Sequence, residues 1–168
     1  MERFFNIIHY ILYKGFSRLF MFLFKPIFKI YKIPVVKRYT EKKGINPEEE
    51  VKKAFLDKEY GFSTIYSGGM IGGLLFLFLV GIAHLICIPL RLDLYSINKI
   101  ILLVIFLIPS YYISHILVFK NDKYIKYFKE FDKKSKFWKR VWTLITLGLI
   151  IGIPLFGGMT VALLYKFV

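Results

Sequence analysis

Apolar positions open the chain in a run that is helical in spacing rather than continuous. Between residues 1 and 34, Phe4, Phe5, Ile8, Ile11, Leu12, Phe16, Leu19, Phe20, Leu23, Phe24, Ile27 and Phe28 recur among Arg3, Lys14, Arg18, Lys25, Lys29 and Lys32. At about 100° per residue, the six cations fall within an arc of roughly 80° on a helical wheel. The pattern predicts an amphipathic helix over 1–34, its apolar body in the acyl boundary of a membrane surface and its basic edge against anionic headgroups. His9 falls on the apolar side. Pro26 predicts a bend, because it removes an amide donor and crowds the preceding turn, and Pro34 predicts the end.

Residues 35–61 read as a cytosolic linker and a short helix. The stretch 35–45 is polar and rich in Lys and Arg; Asn46 then supplies an N-cap, Pro47 a first helical residue, and Glu48, Glu49 and Glu50 a first turn that favours the positive end of the helix dipole. Val51, Ala54 and Phe55 give this helix, expected over 47–60, one narrow apolar stripe, with Gly61 free to end it in the left-handed conformation.

The remainder, 62–167, reads as a transmembrane domain. Residues 62–90 hold no charged side chain, enough to cross about 30 Å of hydrocarbon. A turn at 91–96 is too short for anything but an antiparallel hairpin, and 97–119 form a second span whose single charge, Lys99, can snorkel outward. In the loop 120–137, Tyr124, Tyr127, Phe128 and Phe131 recur at helical spacing among Lys123, Lys126, Lys129, Lys133 and Lys134, which predicts a second surface helix. A third span runs over 138–167, with Ser135 as N-cap, Trp138 and Trp142 at one interface and Tyr165 and Phe167 at the other. The expected fold is all-α: an integral membrane protein with three transmembrane helices plus an N-terminal and a loop amphipathic interfacial helix.

Composition adds a reason and charge adds a direction. A 57% hydrophobic, 19% aromatic chain of 168 residues carries more apolar surface than a soluble domain of its size could bury, so the surplus needs lipid. Thirteen Lys or Arg lie in 1–61, two at 91–99, nine at 120–140 and one near the C-terminus. The positive-inside rule then expects a multi-pass protein of a cytoplasmic (inner) membrane, N-terminus in the cytoplasm and C-terminus outside. Residues 4–13 have the length of a signal-peptide core, but no Ala-x-Ala site follows and twelve cations between Lys14 and Lys58 would have to be translocated. The excess of cations could also meet nucleic acid; it borders apolar spans, so the expected partner is the anionic bilayer. Cys87 is the single cysteine and offers neither a disulfide within the chain nor a thiolate cluster.

Two constellations stand out. In the first span Gly68, Gly69, Gly72 and Gly73 share one side of the wheel, and in the third Gly148 and Gly152 form a GxxxG pair; small residues let helices approach closely in lipid. In the second span Ser110, Tyr111, Ser114 and His115 share one arc, and Thr143 and Thr146 lie at matching depth in the third. They are expected to form a polar interhelical cluster, either a small pocket titrated by His115 or plain hydrogen bonding between helices. Pro109 and Pro154 kink mid-span, but no carboxylate or cation lies deep in any span, which argues against an ion or proton relay. No catalytic motif, metal spacing or cofactor-binding loop is present. The expectation is a small non-enzymatic protein that acts on other membrane proteins or on itself, as an accessory subunit or an immunity-type protein. The alternatives are a component of a small oligomeric channel or transporter, and a membrane-shaping protein.

Overall fold

The computed structural model describes residues 1–31, 33–44, 46–90, 92 and 97–167, without the side chains of residues 165 and 167. Lys32, all of the expected 91–96 turn except Leu92, and the expected interfacial side chains of Tyr165 and Phe167 therefore lie outside what is described. The chain is 89% helical, with no strand among the described residues. In order the helices are α1 (Glu2–Ile30), α2 (Pro34–Lys42), α3 (Pro47–Leu56), α4 (Phe62–Leu90), α5 (Lys99–Ser114), α6 (Lys123–Asp132) and α7 (Lys136–Phe167). Four apolar stretches are long enough to cross a membrane: α1, α4, the run from α5 into α6, and α7.

Local signals explain most boundaries. Pro34 and Pro47 each stand at the start of a helix, where a missing amide costs nothing. The stretch expected as a connector is thus helical over Pro34–Lys42, and Gly44, at φ 65°, takes up the left-handed turn after it. Helix α3 stops earlier than expected: the Asp57 carboxylate accepts from the amides of Glu59 and Tyr60 and winds the chain out of the helix. Gly61 is needed for a different reason, since a Cβ there would collide with the Asp57 backbone. Ser135 caps α7 through the Trp138 amide at 3.2 Å, as expected. Pro26 lies inside α1, which continues through it.

Helix α4 is the central post. Helix α5 returns antiparallel along it, then passes into a π turn (His115–Phe119) whose Phe119 ring lies on Gly68. Helix α7 runs parallel to α4, with the Phe156 ring on Gly81 and Gly157 beside the Leu77 carbonyl. Between α5 and α6 the chain reverses over Lys120–Asp122, where Asn121 (φ 60°) and Asp122 (φ 51°) are both left-handed. That reversal lays α6 over α1.

Helix α1 departs most from the expected surface helix. Residues Asn6 to Tyr13 are all buried, on every side of the helix, between α6 on one flank and α4 and α7 on the other. Beyond Phe4 at its start, the helix exposes apolar side chains in its second half, among them Leu19, Phe22, Leu23 and Ile30. The basic arc is real, but over the first turns it faces protein.

A left-handed non-glycine residue is strained unless it is Asn, Asp or Gly. Replacing Asn121 by Gly should leave the unfolding midpoint of the detergent-solubilised protein unchanged or slightly raised, whereas Asn121→Val should cost about 1–2 kcal/mol. Equal midpoints for both variants would contradict the reversal described.

Candidate functional site at the buried half of the first helix

Helix ends leave carbonyls without partners, and α1 supplies them. Asn6 Nδ2 donates 2.9 Å to the Leu117 carbonyl at the end of the second apolar run, and Tyr13 donates 2.6 Å to the Leu56 carbonyl at the end of α3. One turn from Asn6, the His9 ring is fully enclosed by Phe119, Tyr124 and Phe128, with ring centroids 5.1–5.4 Å away. Its Nε2 lies 3.4 Å from the Thr64 carbonyl. Burial pushes the imidazole down from its ordinary value to about 4, the bond to Thr64 opposing the shift, so His9 is neutral at physiological pH. The buried face of α6 completes the packing: Phe128 touches Tyr10 and Tyr13, and Phe131 touches Tyr10 and Trp138.

The rim of this junction is ionic. Asp132 at the end of α6 accepts from Tyr10 at 2.9 Å, from Lys14 at 2.8 Å and from Lys58 at 2.9 Å, and its main-chain carbonyl accepts from Lys139 at 2.7 Å. Partial burial would raise this carboxyl, but the bonds from Lys14, Lys58 and Tyr10 outweigh it and hold the group at about 2. At the other end of α6, Glu2 accepts from Lys123 at 2.7 Å and from Tyr127 at 3.1 Å, while Arg3 reaches Glu130 at 2.8 Å. Of the expected lipid contacts, Arg3 and Lys14 are therefore paired with protein carboxylates. Arg18, Lys25 and Lys29 have no carboxylate partner among the described residues.

The polar cluster expected in the spans does not assemble. Ser110 and Ser114 are buried, and the Ser110 hydroxyl bonds its own helix at Leu107. Tyr111, 72% exposed, and the exposed His115 stack on each other with centroids 6.3 Å apart and face out of the bundle. Thr146 is buried and Thr143 exposed; both bond carbonyls of their own helix and line a cavity of about 230 Å³ under α1, remote from the serines. Helix α4 stands between the two groups. Of the six glycines expected as packing seams, Gly68 is closely covered, by Phe119, whereas no neighbouring element comes within 4 Å of a Cβ placed at Gly69, Gly72, Gly73, Gly148 or Gly152. Among the described residues no three His, Cys, Asp or Glu gather as a metal site.

Sequence reasoning passed over Asp132, Tyr10 and Asn6 and placed His9 on the apolar side of an interfacial helix, where it is enclosed by protein instead. The signal that could have found Asp132 is scarcity: with 11 acids against 25 cations, a carboxylate at the end of a lysine-rich loop helix is a rare anchor. Comparison with protein-family models, curated proteins and solved structures finds no match.

The pH response of the junction has a definite sign. His9 released from the core regains an ordinary value near 6.5, so the released state takes up a proton that the packed state refuses between about 6.5 and 4. Packing is therefore fully stable above that window and weakens as pH falls through it, and the contribution of Asp132 is then lost from about 3.8 toward 2. Amide exchange in residues 6–13 should accelerate on acidification from pH 7 to 4.5, once corrected for intrinsic exchange. His9→Phe, which suits the aromatic shell, should flatten that dependence, and an unchanged slope would exclude His9 as its source.

Proposed function

We propose that the chain is a small non-enzymatic protein of a cytoplasmic (inner) membrane that acts by docking onto other membrane proteins, as an accessory subunit or an immunity-type protein. The observation that carries this reading is the disposition of its glycines. Gly68 and Gly81 are used inside the bundle, under Phe119 and Phe156, whereas Gly69 and Gly73 on α4 and Gly148 and Gly152 on α7 are exposed with nothing over them. Lipid gives helices no hydrophobic reward for meeting, so an exposed GxxxG face is where a second helix backbone can come close enough for dispersion and Cα–H contacts to hold it. The channel alternative draws on the Pro109 and Pro154 kinks and the Ser110 to His115 stripe, of which Ser110 and Ser114 are buried and Tyr111 and His115 exposed.

The topology belongs to the same proposal. Residues 2–14 of α1 run alongside α6, since Glu2 bonds Lys123 near its start and Lys14 bonds Asp132 at its end. Helix α6 carries Lys123, Lys126 and Lys129 within ten residues, and so many cations are too costly for the hydrocarbon. This favours an interfacial level for α1 as well, and a count of three spans: α4, α5 and α7. With the cation counts, this supports an N-terminus in the cytoplasm and a C-terminus outside.

Reporter fusions should be active as cytoplasmic markers at the N-terminus and as external markers at the C-terminus; two ends on one side would defeat the three-span reading. Gly148→Leu with Gly152→Leu should leave the unfolding midpoint intact while removing a co-purifying membrane protein or self-association. Gly81→Leu, which must displace Phe156, should lower the midpoint. Undiminished association by the α7 double variant would refute docking through that face.

A further inference from the structure

We propose that the groove between α4 and α5 binds a fatty carboxylate, its single aliphatic chain lying along the two helices and its head beside Lys99 and His84. The groove has a volume of about 350 Å³, within the range of about 300–1,000 Å³ typical of small-molecule sites. Its two walls grade from polar to apolar in the same direction. On α4, His84, Val80 and Phe76 follow at four-residue steps and share one stripe; on the antiparallel α5, Lys99, Leu102 and Phe106 form the matching stripe. The imidazole and the ammonium therefore belong to one end of the groove and the two phenyl rings to the other, about 10–12 Å away along the helix axes. Helix α7 contributes Val161. A single-chain amphiphile carries the same gradient, with a polar head and a chain that gains by leaving water.

Charge complementarity selects the head. Two other apolar grooves, of about 220 Å³ along Phe5, Ile71 and Leu149 and about 230 Å³ under α1, have no ionisable side chain in their walls. The groove between α4 and α5 has two. Lys99 is exposed, has no carboxylate partner among the described residues and stands in the first turn of α5, where the helix dipole adds to its attraction for an anion. His84 is buried in the α4 wall, at 6% exposure. A carboxylate offers two oxygens, one for an ammonium and one for an imidazole N–H, and its single charge equals that of the one lysine. None of Gly69, Gly73, Gly148 and Gly152 lines the groove, so the site is separate from the docking face.

The test uses the full-length protein in phosphatidylcholine vesicles with dodecanoate carrying a diazirine at its chain end, and maps the crosslinks by mass spectrometry after illumination. Crosslinks should gather around Phe76 and Phe106, the apolar end of the groove. Unlabelled dodecanoate should displace them; dodecanol should not, and dodecyl phosphate, which can carry a second negative charge, should do so no better than dodecanoate. At limiting probe, Lys99→Gln should lower the labelling roughly tenfold while the unfolding midpoint of this exposed-site variant holds. Lys99→Arg should retain it, and so should Lys120→Gln, which removes a cation beyond the opposite end of the same apolar run. His84→Gln, which keeps a donor, should label more strongly than His84→Leu. Equal displacement by dodecanol, stronger displacement by dodecyl phosphate, unaltered labelling of Lys99→Gln, equal labelling of the two His84 variants, or crosslinks spread evenly over α1 and α7 would each overturn the proposal.

Discussion

One carboxylate fixes how this chain closes on itself. Asp132 sits at the end of α6, which leads from α5 to α7, and it draws Tyr10 and Lys14 from α1, Lys58 from the segment between α3 and α4, and Lys139 from α7 to a single point. Each bond is partly exposed and individually modest. Their value lies in register, because sliding α1 by one turn would separate both bonds from Tyr10 and Lys14 at once and strip Asn6 and Tyr13 from the helix-end carbonyls they satisfy.

The aromatic shell depends on that register. Phe128, Phe131, Tyr124 and Phe119 surround His9 and Tyr10 with edge-to-face and tilted contacts, geometries worth more than their area alone. A neutral imidazole suits such a shell because it can give one proton to the Thr64 carbonyl and is small enough to be ringed. The same environment makes it intolerant of a second proton, so what stabilises the core at neutral pH limits it in acid.

Much of the architecture was legible because it is local. Pro47 with three following glutamates, the uncharged stretch of α4, and Ser135 three residues before Trp138 announce helix starts and spans through chemistry confined to a few positions. The burial of α1 was not legible: a wheel shows that one side of a helix is apolar, not whether lipid or another part of the chain covers it, and the partners of Asn6 and Tyr10 lie more than 110 residues away. The candidate sites failed or survived on the same distinction. Depth matching along three spans placed Ser110 and Thr146 at one level, but level does not fix which helices touch, and α4 separates them. The glycine pattern identified small residues correctly; only the neighbours could show that Gly68 carries a ring and Gly148 carries nothing.

The separation between α1 and the elements that cover it also sets an order of assembly. During synthesis α1 emerges long before residues 117–132, so its buried half must wait, with Ile7, Ile8, Ile11 and Leu12 among its side chains, for a cover that the ribosome has not yet made. Closing that loop late is slow and leaves sticky surface exposed in the interval. The ion pairs that hold α1 wait on the same late segment, since Arg3 closes on Glu130 and Lys14 on Asp132. Cover and charge partners for the first helix thus arrive together, in one stretch of sixteen residues from 117 to 132.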